Sequence, residues 1–292
     1  MHTRTGNFAI GFRRGWTQWQ KDINALTSFA KKAGFAHIDL TPWSAADGDA
    51  MKQAGVGLGA VDLLEIGKLI QSDEAARKDL LARNLAYVKE ATTAGAKVFF
   101  AIAPGESSRT RAENYKLLVD VFSPLAEAAA AGGATIAIEG YPGGAPHYAM
   151  LCCTPESVRA ILKDVNSPGL AVNYDPSHLI RLGVDHIRFL NEFLPHVTHV
   201  HGKDTEIFPE AIYELGLYQG SISQKERAFG QHVWRYTIPG AGEARWTEIF
   251  KILSTNGYKG LVSVELEDEN FNGTEAGEKL GLEHSLAFLR GA

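Results

Sequence analysis

The chain has 292 residues, 45% of them hydrophobic, enough to bury a large core, which excludes a largely disordered chain and suits one α/β barrel of about 250 residues with an insertion. Lys and Arg number 29 against 34 Asp and Glu, a net charge of −5, and that balance argues against a nucleic-acid partner, which needs a basic face. No run approaches the ~20 apolar residues that span a bilayer, so no membrane partner is expected.

Short apolar runs alternate with longer helical patterns from end to end. The runs fall at residues 8–12, 36–40, 56–61, 97–103, 135–139, 170–175, 197–201 and 261–266. Eight strands, each followed by a helix, predict a parallel sheet closed into a single (β/α)8 TIM-barrel domain over residues 1–292. Ser72-Asp73-Glu74 offers a cap and an acidic first turn, ahead of an apolar stripe at Leu81, Leu85 and Val88. Thr154-Pro155-Glu156 is a second cap, with Val158, Ile161, Leu162 and Val165 behind it. Trp246, Ile249, Phe250 and Leu253 form the stripe of the seventh helix, which Asn256-Gly257 stops.

One step breaks the rhythm. Glu265 follows His201 by 64 positions, where a β-α-β step usually takes roughly half that. The excess, about residues 205–240, is rich in aromatics and mixed charge, and predicts an insertion after strand 7 over the barrel mouth.

Four strands end in a chemically useful residue: Glu139 in Ile138-Glu139-Gly140, Asp175 in Asn173-Tyr174-Asp175-Pro176, His201 in His199-Val200-His201, and Glu265 in Ser263-Val264-Glu265. Side chains alternate between the faces of a strand. Ile136, Ile138, Val172, Tyr174, Val200, Val262 and Val264 then share the face toward the helices, and the three acids and the imidazole share the face toward the axis. Three buried carboxylates are costly unless a cation offsets them. Three oxygens and one nitrogen suit Mn²⁺, Mg²⁺, Co²⁺ or Zn²⁺ without selecting among them; Mn²⁺ is taken as the working expectation. The absence of thiolate ligands argues for a working rather than a structural site. His199 reads as a satisfied core histidine beneath it.

These residues resemble those of the sugar phosphate isomerase/epimerase superfamily, the xylose-isomerase-like barrels, which includes ketose 3-epimerases, inosose dehydratases and endonuclease IV. The likeness is carried by Ile138-Glu139-Gly140, by Asn173-Tyr174-Asp175-Pro176-Ser177-His178, by His199-Val200-His201-Gly202-Lys203-Asp204 and by the stretch from Gly257 to Asp268. It is specific in residues 133–204 and 257–268. The resemblance implies Glu139, Asp175, His201 and Glu265 as metal ligands. It implies proton transfer next to a carbonyl through an enediolate, with Glu139 and Glu265 as the acid–base pair and a sugar or polyol as substrate. His178, Lys203, Asp204 and Arg235 are the expected substrate-binding residues. His232, His147, Trp16 and Trp43 are weaker candidates.

The pattern also departs from that of ketose 3-epimerases, which carry another glutamate shortly after the fifth-strand ligand. Here Tyr141-Pro142-Gly143-Gly144-Ala145-Pro146-His147 has no acid. A lyase or dehydratase acting on an inosose or 3-keto-glycoside is therefore an alternative, and a non-catalytic sugar-binding barrel is another. A DNA-repair endonuclease would need histidines at the ends of the early strands, which read Asp39-Leu40-Thr41 and Val61-Asp62-Leu63. The adjacent Cys152 and Cys153 are poorly placed to pair, and residues 1–14 lack the pattern of a secretory leader, so a reducing cytoplasm is expected. A homo-oligomer is the expected assembly.

Overall fold

The computed structural model of the protein describes residues 2–144 and 150–292. The strands are β1 (Ile10–Arg13), β2 (His37–Leu40), β3 (Gly57–Asp62), β4 (Val98–Ile102), β5 (Thr135–Glu139), β6 (Leu170–Tyr174), β7 (Val197–Gly202), β8 (Asp204–Ile207), β9 (Trp234–Thr237) and β10 (Leu261–Val264). All except β8 and β9 close into a parallel barrel in the order β1-β10-β7-β6-β5-β4-β3-β2. The helices are α1 (Ile23–Ala33), α2 (Ala45–Ala54), α3 (Glu74–Thr93), α4 (Arg111–Ala131), α5 (Pro155–Val165), α6 (Pro176–Arg181), α7 (His186–Phe193), α8 (Pro209–Leu215), α9 (Trp246–Thr255) and α10 (Glu275–Gly291). Among the described residues no helix is long and apolar enough to cross a membrane.

The punctuation sets these boundaries. Asp73 accepts from Ala76 N at the start of α3, and Thr154 caps α5 with Pro155 in its first turn. Gly34 and Gly55 end α1 and α2 with φ of 90° and 69°, a conformation that a side chain would strain.

Alternation sorts the buried residues into two groups. Ile136, Ile138, Val172, Tyr174, Val200, Val262 and Val264 belong to the large apolar core between sheet and helices. Ala60, Val98, Phe100 and Ala137 form a separate small cluster. They have the opposite strand parity, so they line the barrel interior. In α3 the buried face is Leu80, Asn84, Tyr87, Val88 and Ala91, with Leu81 and Leu85 only partly buried. The face is rotated from the expected stripe because Asn84 is drawn inward. Its amide accepts from Leu64 N and donates to Leu64 O, tying down the loop after β3.

The segment after β7 is an arm. β8 and β9 pair antiparallel, with Asp204 opposite Thr237 and Ile207 opposite Trp234, and α8 lies between them in sequence. Val233, Trp234 and Tyr236 give the arm a small apolar cluster of its own. Thr205 Oγ1 donates to Ser177 O at 2.8 Å, which fastens the arm to the start of α6.

Candidate active site

Strand register brings the expected ligands together. Glu139 is the last residue of β5 and pairs in register with Asn173, Asn173 with His199, and Ser263 with His201. Asp175 and Glu265 stand one residue beyond their strands. Asp175 is also the N-cap of α6, and Ser177 donates to its Oδ1 from both backbone and hydroxyl, at 2.8 and 2.6 Å. This leaves Oδ2 turned inward. His201 Nδ1 lies 2.6 Å from Glu139 Oε1, 3.4 Å from Glu265 Oε2 and 3.9 Å from Asp175 Oδ2. One oxygen each from Glu139, Asp175 and Glu265 also falls, with a ring nitrogen of His178, inside a 4.8 Å cluster of donor atoms.

These side chains fit a divalent ion. Neither ring nitrogen of His201 makes a well-formed hydrogen bond, and Asp175 Oδ2 meets only charged neighbours, Lys203 foremost; such buried atoms are costly unless something compensates them. The donor set of three carboxylates and an imidazole matches the preferences of Mg²⁺, Mn²⁺, Co²⁺ or Zn²⁺. The residues that would hold the ion are Glu139, Asp175, His201 and Glu265, with His178 beside them.

The electrostatics follow from crowding. Burial lowers the His201 pKa, but Glu265 and Glu139 overcome it and push it up to about 10. Burial raises Glu139, and His201 and His178 more than reverse this, holding its carboxyl below the usual range. Glu265 is likewise raised by burial and carried well below the ordinary value by Lys203, His201 and Arg13. Both glutamates are therefore anions at neutral pH.

Lys203 continues the inward parity of β7 into the site. Its wholly buried ammonium contacts Asp175 Oδ2 at 3.2 Å, Glu267 Oε2 at 3.1 Å and Glu265. His178 Nε2 lies 3.2 Å from Glu139 Oε2 and 3.4 Å from Asp175 Oδ2, and its Nδ1 meets Tyr236 Oη at 2.6 Å. The arm thus reaches the site through Tyr236, whose hydroxyl also accepts from Arg181 Nη1 at 2.7 Å.

The other expected residues lie elsewhere. Asp204 accepts from the backbone N–H of Thr205, Gly240 and Ala244 and from Trp246 Nε1, so it holds the loop before α9. Burial pushes its carboxyl up to about 6 against those donors. Arg235 alternates with Tyr236 and turns the other way, onto Glu206, Asp268 and Glu269. His232 is half-buried in the arm, with Nδ1 unpartnered. Trp43 is packed against Tyr87 in the core, whereas Trp16 is 64% exposed beside Phe229. His147 lies outside the described residues. His199 is fully buried and engaged by Asn173, Ser263 and Asp39.

Three groups at the site escaped the reading of strand ends. Glu267 has the parity of Glu265, and alternation continued two residues further would have found it. Arg13 ends β1 facing inward, where it forks onto Asp62 at 2.6 and 2.7 Å and reaches Glu265 Oε1 at 3.1 Å. Tyr236 carried no local signal, because its place depends on how the arm folds back. Two larger grooves, of about 1030 Å³ beside α2 and α3 and about 750 Å³ along α9, have no buried acid or histidine in their walls.

Residues 27–292 match the family described as xylose isomerase-like TIM barrel, and the chain belongs to that family. Its sequence is 27% identical over 159 residues to the inosose dehydratase of Geobacillus thermodenitrificans, covering 54% of this chain and 48% of that protein. The chain thus spans about half the length of the curated relatives it matches. Among solved structures, the 3-keto-D-glucoside 4-epimerase YcjR of E. coli superposes with a TM-score of 0.69 at 17% identity, over 97% of this chain and 99% of that one. The IolI protein, solved with a bound zinc atom, gives a TM-score of 0.67 at 18% identity over 97% and 98% of the two chains. At such identities the structural likeness speaks for the fold.

Proposed function

We propose that the protein is a divalent-metal-dependent isomerase or epimerase. It acts on a keto-sugar or related polyol by proton transfer at the carbon next to a carbonyl. The supporting observation is that two ionised carboxylates, Glu139 and Glu265, flank His201 from strands that β6 and β7 separate in the barrel. A carboxylate within reach of the carbon next to the carbonyl can act as a general base. Two of them can take a proton from one face of a carbon and return it to the other. When bound, a divalent ion supplies Lewis acidity toward the carbonyl oxygen and charge for the anion that develops beside it. Lys203 holds a hydroxyl and balances the acids, and His178, steadied by Tyr236, orients a second hydroxyl. Burial of these groups keeps bulk water from competing for the proton.

Dehydration of an inosose or elimination from a 3-keto-glycoside is the second reading. It is favoured by the inosose dehydratases among the sequence relatives, and Lys203 beside Glu265 can hydrogen-bond a departing hydroxyl or glycosidic oxygen. The test is a panel of ketoses, inososes and 3-keto-glycosides incubated with Mn²⁺ in deuterated water. Deuterium in recovered or epimerised sugar supports proton transfer, and an enone absorbance supports elimination. Sugars that bind but neither exchange nor eliminate would leave a non-catalytic barrel and overturn the proposal.

A further inference from the structure

Beside its small apolar cluster, the barrel interior below the expected ligands holds a group of polar residues. His37, Asp39, Asn173, His199 and Ser263 are all buried there. Three of them form a continuous run that ends on Glu139. Asp39 Oδ2 meets His199 Nε2 at 3.1 Å, His199 Nδ1 meets Asn173 Oδ1 at 2.8 Å, and Asn173 Nδ2 donates to Glu139 Oε1 at 2.6 Å. The run starts on β2, crosses to β7 and β6, and finishes on β5.

Chemistry fixes its direction. An ionised carboxylate only accepts, so the amide nitrogen of Asn173 faces Glu139 and its oxygen faces His199. His199 Nδ1 must then carry a proton. The far end is built to stay in place, because Ala60 N and Ser263 Oγ both donate to Asp39 Oδ1 at 2.9 Å. A Cβ at Gly59 would collide with the Asp39 carboxylate, so only glycine leaves room for it on β3. Donor atoms of Asp39, His199 and His201 lie within 4.8 Å of one another. Both nitrogens of His199 are already engaged, Nδ1 by Asn173 and Nε2 by the contact with Asp39.

We propose that Asp39, His199 and Asn173 are positioning residues, a strut that holds Glu139 Oε1 against His201 Nδ1 and so pre-forms the metal centre. The inference rests on the metal-centred reading above. Groups that orient ligands in this way typically change metal affinity 10- to 100-fold when removed.

Titration of Mn²⁺ into the chelator-treated protein by calorimetry, with the visible spectrum of the Co²⁺ form as a second readout, tests it. The variants are His199→Asn, which keeps a donor where Nδ1 stands, His199→Gln, which keeps only the Nε2 side, and Asn173→Leu. Asn173→Leu and His199→Gln should weaken Mn²⁺ binding at least 10-fold and alter the Co²⁺ bands, while His199→Asn should recover most of the affinity. If Asn173→Leu does not fold, the contrast between His199→Asn and His199→Gln decides. Wild-type affinity and spectrum in both, or equal loss in both, would overturn the strut and leave the metal reading standing. A wild-type protein that takes up no Mn²⁺, Co²⁺ or Zn²⁺ would overturn both.

Discussion

Lys203 Nζ lies 3.2 Å from Asp175 Oδ2, while Ser177 occupies the other oxygen of the same carboxylate. The ammonium is thus a tethered cation among the three acids on which the site is built. Lys203→Met should leave those acids with less positive charge in a buried setting. Breaking a buried pair in this way costs on the order of 3 kcal/mol. The melting temperature of the chelator-treated variant should fall by several degrees, and Mn²⁺ should restore more of it than it adds to the wild type. An unchanged melting curve would mean that the lysine does not balance these acids.

Glu265 accepts from Lys203, is ion-paired with Arg13, and is held well below the ordinary carboxylate range. Glu265→Gln keeps the shape and removes the base. Wash-in of solvent deuterium into a responsive keto-sugar should drop by about 10²- to 10⁴-fold, the usual worth of a positioned general base, with the circular dichroism spectrum retained. Exchange at the wild-type rate would remove Glu265 from the acid–base pair.

The barrel and the four strand ends were legible because alternation is a rigid rule. In β5, β6, β7 and β10 the apolar residues and the acids fall on opposite faces, and a closed parallel sheet has only one inside. The same rule was not carried to β1 and β2, where Arg13 and Asp39 are inward by parity but have no short motif to announce them. The role expected of Asp204 rested on its place just beyond the seventh strand, and that of Arg235 on the family resemblance of the stretch after it. Their side-chain directions are set by the β8–β9 pairing, a long-range contact that no local pattern encodes. Tyr236 was hidden for the same reason.

His37 lies at the bottom of the interior network, with Nε2 3.0 Å from Ser263 Oγ. Burial is the main cause that lowers its pKa from 6.5 to about 4, and neighbouring Asp39 opposes the shift without cancelling it. A base whose folded pKa is depressed contributes stability that is present above pH 6.5 and is lost as pH falls through 6.5 toward 4. The shift corresponds to about 3 kcal/mol. Urea midpoints measured between pH 7 and pH 4 should fall more steeply in the wild type than in His37→Gln, which cannot take up that proton. Parallel curves would place the acid sensitivity in other groups.

Tyr236 Oη stands between His178 Nδ1 and Arg181 Nη1, at 2.6 and 2.7 Å. Arginine only donates, so the hydroxyl accepts from Arg181 and is free to donate its own proton to His178 Nδ1. That would place the His178 N–H on Nε2, facing the oxygens of Glu139 and Asp175. Tyr236→Phe removes this control. The Arg181 guanidinium remains stacked over Trp234 at 4.1 Å, so the arm should stay docked and stability should fall by only about 1 kcal/mol. The kinetic effect should be larger, with KM for the keto-sugar raised about 10-fold and kcat less affected. A neighbour that acts only through His178 should add nothing once the imidazole is gone. The double variant His178→Ala/Tyr236→Phe should therefore match His178→Ala alone, and a further loss in the double variant would mean that the phenol contacts substrate directly.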